Sequence, residues 1–135
     1  MTLNDAEQRF LAEQRLGRLA TVAPGGFPQV KPVGLTYNGP LGTIDIYGLD
    51  MAASAKYRNV QQHPEVAIVV DVPGNGPAEV RFLEVRGRAE TATAEAAPFP
   101  GASRDIIRIR PRRVLALNID PGQDGLQVRD VGARV

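Results

Sequence analysis

A mainly β fold is what this sequence predicts: a small six-stranded barrel with one helix at the start of the chain and one inserted mid-chain. Three observations carry that reading. Short β-branched or alternating runs recur between Gly/Pro clusters. Strong helical spacing occurs in two stretches only. The strands also follow one another without a helix between each pair, which argues against a βαβ arrangement, and closure into a barrel would satisfy their edges.

The elements follow in order. Thr2-Leu3-Asn4-Asp5 resembles a capping box, with the Thr2 hydroxyl placed to accept from an amide near Asp5. Leu3, Ala6, Phe10 and Leu11 then fall at helical spacing, predicting a short amphipathic helix that ends before Gly17. Leu19-Ala20-Thr21-Val22-Ala23 is compact and β-branched and meets Pro24-Gly25-Gly26 at once, the pattern of a strand and a tight turn. In the next run Val30, Pro32 and Gly34 alternate with Lys31, Val33 and Leu35, so a second strand carries useful side chains on both faces. Pro32 has no amide to donate and belongs at an edge or a bulge. Thr43-Ile44-Asp45-Ile46-Tyr47 alternates, stops at Gly48 and completes a meander.

Residues 51–62 contain no Gly or Pro and precede His63-Pro64, predicting one helix that Pro64 ends. Val66-Ala67-Ile68-Val69-Val70 is a continuous apolar run, as in a strand buried on both faces. A loop at Pro73-Gly74-Asn75-Gly76-Pro77 leads to a strand around Val80, Phe82 and Val85. Residues 91–97 read as a weak helix, and two strand segments flank Pro111. The chain reads as a single domain over residues 1–135, with 121–135 a polar C-terminal tail.

Composition narrows the chemistry. With 16 Lys+Arg against 15 Asp+Glu the net charge is +1, which speaks against a general nucleic-acid binder. The absence of cysteine removes disulfides, thiolate zinc sites, iron–sulfur clusters and a cysteine nucleophile, and a single histidine removes multi-His metal sites. No cationic leader followed by an apolar run and no membrane-length apolar stretch is present, so a cytoplasmic protein with no membrane association is expected. Only two of the 16 cations, Lys31 and Lys56, are lysine.

Candidate sites are few. Arg108, Arg110 and Arg112 would share one face of a strand; a solvated face balanced by nearby acids is the favoured reading, a buried anion the alternative. His63 suits a helix C-terminal cap better than catalysis, since spacing marks no partner for it. Ser54-Ala55-Lys56 places a hydroxyl, exposed amides and an ammonium at a helix start. That cluster suits an anion, or is a helix start whose lysine faces water. No side chain is marked as catalytic acid, base or nucleophile, and no metal site is expected.

Taken together, these segments resemble the pyridoxamine 5′-phosphate oxidase-like superfamily of split β-barrels that bind flavins or deazaflavins. The match runs from the Arg18-Leu19-Ala20-Thr21-Val22 strand to Asn118, through Pro28-Gln29-Val30-Lys31-Pro32-Val33, Ser54-Ala55-Lys56-Tyr57-Arg58-Asn59, His63-Pro64-Glu65-Val66 and Ile107-Arg108-Ile109-Arg110-Pro111. The resemblance implies a homodimer with cofactor in grooves at the interface. Val30, Lys31, Pro32 and Val33 would lie along the tricyclic ring with backbone amides at its edge, Leu49 would adjoin it, and Ser54, Ala55 and Lys56 would hold the phosphate. Ala55 stands where true pyridoxamine phosphate oxidases have arginine, and their tryptophan-rich C-terminal segment is missing, so that oxidation is not expected. The Lys56-Tyr57-Arg58-Asn59 and Ile-Arg-Ile-Arg-Pro runs instead look like the actinobacterial branch that uses the deazaflavin coenzyme F-420. The implied activity is hydride transfer to a small unsaturated substrate. An FMN-dependent oxidoreductase and a non-catalytic flavin or deazaflavin storage protein are the alternatives, with an oligonucleotide-binding barrel a weaker third.

Overall fold

The computed structural model describes residues 2–132. Helix α1 (Asp5–Gln14) is followed by β1 (Leu16–Val22), β2 (Pro28–Asn38) and β3 (Thr43–Tyr47); α2 (Ala55–Gln62) precedes β4 (Glu65–Val72), β5 (Arg81–Thr93), β6 (Asp105–Leu117) and β7 (Leu126–Asp130). The strands lie in the order β3-β2-β1-β4-β5-β6-β7, all antiparallel, and β3 also pairs with β6. That last pairing closes β1 to β6 into the expected six-stranded barrel, with β7 as an additional strand.

Closure fixes the interior. Leu19, Leu35, Ile44, Ile46, Ile68, Leu83, Ile107 and Ile109 are buried in a single core, and Phe10 and Leu11 of α1 join it. The helix cap differs from the expected one: Asn4, not Thr2, accepts the Glu7 amide at 2.9 Å, and the Glu7 carboxylate accepts the Asn4 amide at 2.9 Å. Asn is among the best N-caps, and the Asn4-x-x-Glu7 spacing completes the reciprocal pair that Asp5 cannot.

Four other expectations are corrected. The helix over 51–62 is interrupted, because the Ser54 hydroxyl caps α2 and leaves Met51–Ala53 as a separate 3₁₀ turn. Residues 91–93 continue β5 instead of starting a helix, since β-branched Thr91 and Thr93 pair with Ile107 and Asp105. The two segments around Pro111 are one strand with a bulge: Arg86 opposes Arg113 while Gly87 opposes Pro111, so Arg112 is the extra residue. A Cβ at Gly87 would stand 2.3 Å from the Arg110 carbonyl oxygen, so the strands approach this closely only over glycine. Finally, residues 126–130, within the stretch read as a tail, form β7 against residues 113–117 of β6.

The barrel is split because β2 changes partner along its length. It pairs with β1 over residues 28–34 and with β3 over residues 34–38. Gly34 opposes Tyr47 at the point of divergence, where the Tyr47 ring covers the glycine and stacks edge-on with Phe99 at 5.5 Å. Beyond it, residues 28–33 of β2 are paired on one side only.

Candidate functional site

The open half of β2 sets the site. The Leu35 amide donates to the Arg15 carbonyl and the Ala23 amide to the Phe27 carbonyl, so in this ladder odd-numbered β2 residues turn their backbone groups toward β1. Even-numbered residues turn theirs to the open edge. Side chains divide the same way. Gln29, Lys31 and Val33 share the interior face with Thr21, Leu19 and Gly17, while Pro28, Val30 and Pro32 share the outer face with Val22, Ala20 and Arg18.

Helix α2 is pinned beside this half-strand. The Asn59 side-chain amide, buried mid-helix, donates to Thr21 Oγ1 at 3.0 Å and to Gln29 Oε1 at 2.8 Å. These bonds bring the first turn of α2 toward Lys31. Burial pushes the Lys56 ammonium below its ordinary pKa, and the charge of Lys31 lowers it further. No carboxylate pairs with either lysine among the described residues. The positive charges of Lys31 and Lys56 thus oppose each other with no carboxylate paired to either among the described residues, and Lys56 stands in the first turn of α2.

Of the eight residues singled out in the sequence, Val30 and Pro32 turn their backbones to the open edge, Lys31 lies between them with its backbone toward β1, and Ser54, Ala55 and Lys56 form the start of α2. Leu49, 72% exposed, follows β3 toward the same helix. Val33 stands apart: its side chain is buried in the core and its backbone faces Gly17 of β1. The Ser54 hydroxyl donates to the Met51 carbonyl at 2.6 Å and accepts the Tyr57 amide at 3.4 Å, so here it acts as a cap. Gln29 and Asn59 belong to the quoted strand and helix segments, but the bond between their side chains was not foreseen. An asparagine inside a short helix was its one signal, since asparagine is a poor helix former without a tertiary partner.

The arginine stripe is engaged elsewhere in part. Arg110 pairs with Glu90 on a solvated face, as the acid-balanced reading expects, whereas Arg108 pairs with Asp45 largely out of water. Re-aimed by the bulge, Arg112 borders a separate outer-face cavity of about 480 Å³ with an apolar floor of Ala20, Val22, Pro28 and Ala67. His63 is the C-cap of α2.

A family model described as pyridoxamine 5′-phosphate oxidase matches residues 3–123. The chain belongs to the pyridoxamine 5′-phosphate oxidase family. Within it, the chain is similar to the 5a,11a-dehydrotetracycline/5a,11a-dehydrooxytetracycline reductase of Streptomyces rimosus, at 38% identity over 98% of this chain and 96% of that protein. Among solved structures it resembles an F-420 reductase at 27% identity, with a TM-score of 0.60 over 81% of this chain and 95% of the other. A pyridoxamine 5′-phosphate oxidase-related, FMN-binding protein of Nostoc punctiforme shares the fold, with a TM-score of 0.61 at 15% identity over 93% and 91% of the two chains. No helix among the described residues is long and apolar enough to cross a membrane.

Proposed function

We propose that this protein is an oxidoreductase that binds coenzyme F-420 at a homodimer interface and uses it to reduce a small unsaturated substrate. The observation that carries the reading is the unpaired edge of β2 over residues 28–33, with Lys31 on that strand and Lys56 near enough to feel its charge, neither lysine paired with a carboxylate among the described residues. Two ammonium groups and the amides of Ala55 and Lys56, the first-turn amides that the Ser54 cap leaves over, are a donor set that suits a phosphate. An unpaired strand edge beside them offers backbone groups to a planar ring. Similarity to a reductase over nearly the whole chain supports the reaction class, and the F-420 reductase supports the cofactor.

When bound, the deazaflavin supplies two-electron hydride transfer from its ring carbon. The chain supplies position. Lys31 and Lys56 hold the phosphate, Asn59 and Gln29 lock α2 at the correct distance from β2, and Tyr47 with Phe99 closes the core end of the split. No side chain is assigned as proton donor, and solvent serves that role.

The homodimer has its own support. The apolar run of β4 has the sequence of a strand covered on both faces, yet Ala67 and Val69 are only half-buried in the single chain. Ala67 lies in one row across three strands with half-buried Ala20 and exposed Val30, and Val69 faces Arg18 on the same side. A second copy covering this face would account for the pattern.

Fluorescence titration of the purified protein with F-420 and with FMN, combined with sedimentation, tests the proposal. Micromolar or tighter F-420 binding in a dimer, and oxidation of the reduced cofactor by a quinone or enone from a panel, is the expected result. Failure to bind either cofactor at micromolar concentration overturns it, and binding without turnover across the panel assigns storage instead.

A further inference from the structure

The open edge of β2 carries an asymmetry that bears on which ring it accepts. Even-numbered residues point their backbone groups outward over 28–33, and two of the three, Pro28 and Pro32, have no N–H. The edge therefore presents three carbonyl oxygens and a single donor, the amide of Val30. That residue is 61% exposed, and nothing among the described residues pairs with its amide. Lys31 lies between the two outward-facing residues Val30 and Pro32, so whatever anion the lysines hold brings its attached ring to this donor-poor edge.

We infer that Pro28 and Pro32 are specificity-determining residues, selecting a ring with a carbon at position 5 over one with a nitrogen there. The inference rests on the cofactor reading above and deepens it. An oxidised flavin carries an acceptor nitrogen at position 5, next to an acceptor carbonyl at position 4. An oxidised 5-deazaflavin has a C–H in place of that nitrogen and needs one donor fewer. An acceptor taken out of water without a donor is penalised, and carbonyl oxygens facing it add repulsion. With one amide available instead of three, that penalty falls on the flavin. The same prolines also deny the edge to a pairing strand. Edge protection alone, however, predicts no discrimination between the two rings.

The test compares oxidised FMN with 5-deaza-FMN, two probes with one phosphate tail that differ only at position 5. They are titrated into the wild-type chain, Pro32→Ala and Pro28→Ala, with Pro73→Ala in the β4–β5 loop as control. The wild type and the control are expected to bind 5-deaza-FMN more tightly. Pro32→Ala or Pro28→Ala, by restoring an outward N–H, is expected to tighten FMN by about five- to tenfold and to leave 5-deaza-FMN within about twofold. An unchanged ratio in both edge variants overturns the inference while leaving the cofactor reading intact, as does wild-type preference for FMN. Increased self-association of the variants with an unchanged ratio assigns the prolines to edge protection. Absence of binding by F-420 and both probes to the wild type overturns the cofactor reading and this inference with it.

Discussion

Asp45 of β3 stands directly across the ladder from Arg108 of β6, its carboxylate oxygens 3.0 and 3.1 Å from the guanidinium Nε and Nη2. The Thr43 hydroxyl and the Asn38 side-chain amide donate to the same carboxylate at 3.0 and 3.1 Å. This four-bond cluster sits on one of the barrel's two shortest seams, where β3 and β6 pair through three residues each, as β1 and β4 do. Because the side chains are only 11% and 19% exposed, removing one partner leaves the other's charge poorly solvated. Asp45→Ala is expected to cost about 3–5 kcal/mol, and Asp45→Asn less because it keeps an acceptor. Urea denaturation should show a lower midpoint with an unchanged slope.

Much of the barrel was legible because a strand with one buried face writes a period of two into its own residues. Ile44 and Ile46, or Ile107 and Ile109, need no partner to be recognised. The bulge at Arg112 was not legible, since it belongs to the pairing of two strands and appears in sequence only as a broken alternation. Strand β7 was missed for a related reason: its anchor is Arg129 on Glu7, 122 positions away in the chain. In the site, Lys31 and Lys56 stood out by rarity. Their convergence follows from the Asn59–Gln29 bond, which no local pattern encodes.

Glu7 does two jobs, capping α1 through the Asn4 amide and holding Arg129 of β7 with both carboxylate oxygens. Glu7→Gln keeps the cap but loses the ion pair and is expected to cost about 1–2 kcal/mol, discounted because the Arg129 side chain is 37% exposed. Glu7→Ala loses both and should cost about 2–4 kcal/mol. Hydrogen exchange separates the effects: amides of residues 127–130 should lose protection in both variants, the first turn of α1 only in Glu7→Ala.

The crowding of Lys56 predicts a pH dependence with a definite sign. Its pKa lies below 10.5 in the folded chain through burial first and Lys31 second. Between that lowered value and 10.5 the unfolded chain binds more protons, so stability rises with pH across the window. Anion binding has the opposite sign, because it requires the charged lysine. F-420 affinity should fall as pH rises through the lowered value. Lys31→Ala should move that break upward without restoring it to 10.5, since burial is the larger cause. Lys56→Ala should weaken binding by about tenfold or more and abolish the break. Fluorescence titrations across the alkaline range measure both.

Gly34 makes the split possible by letting Tyr47 lie over β2. A Cβ there would stand 2.7 Å from Tyr47 Cε2, so the ring that packs edge-on against Phe99 would have to shift. Gly34→Ala is expected to destabilise by about 1–3 kcal/mol through overpacking. A crystal structure of the variant should show the edge-on pair separated.

The outer face gives the last prediction. Val30, Ala20 and Ala67 are cross-strand neighbours on β2, β1 and β4, and Arg86 continues the row on β5. A small, apolar centre bounded by arginine is the layout of an interface core and its rim. Ala20 is half-buried in the single chain and its side chain points away from the core, so Ala20→Glu leaves barrel packing intact. In a dimer the same side chain would occupy space the second copy fills, and its carboxylate would lose water even with Arg86 and Arg112 bordering the face. On the proposed dimer, sedimentation should therefore show a monomer for Ala20→Glu and a dimer for the wild type, with far-UV circular dichroism unchanged. Because the open edge of β2 continues this face at Val30, loss of the dimer should also weaken F-420 binding although neither lysine has been touched. A dimer that survives Ala20→Glu would place the interface on another face and separate it from the outer side of Val30.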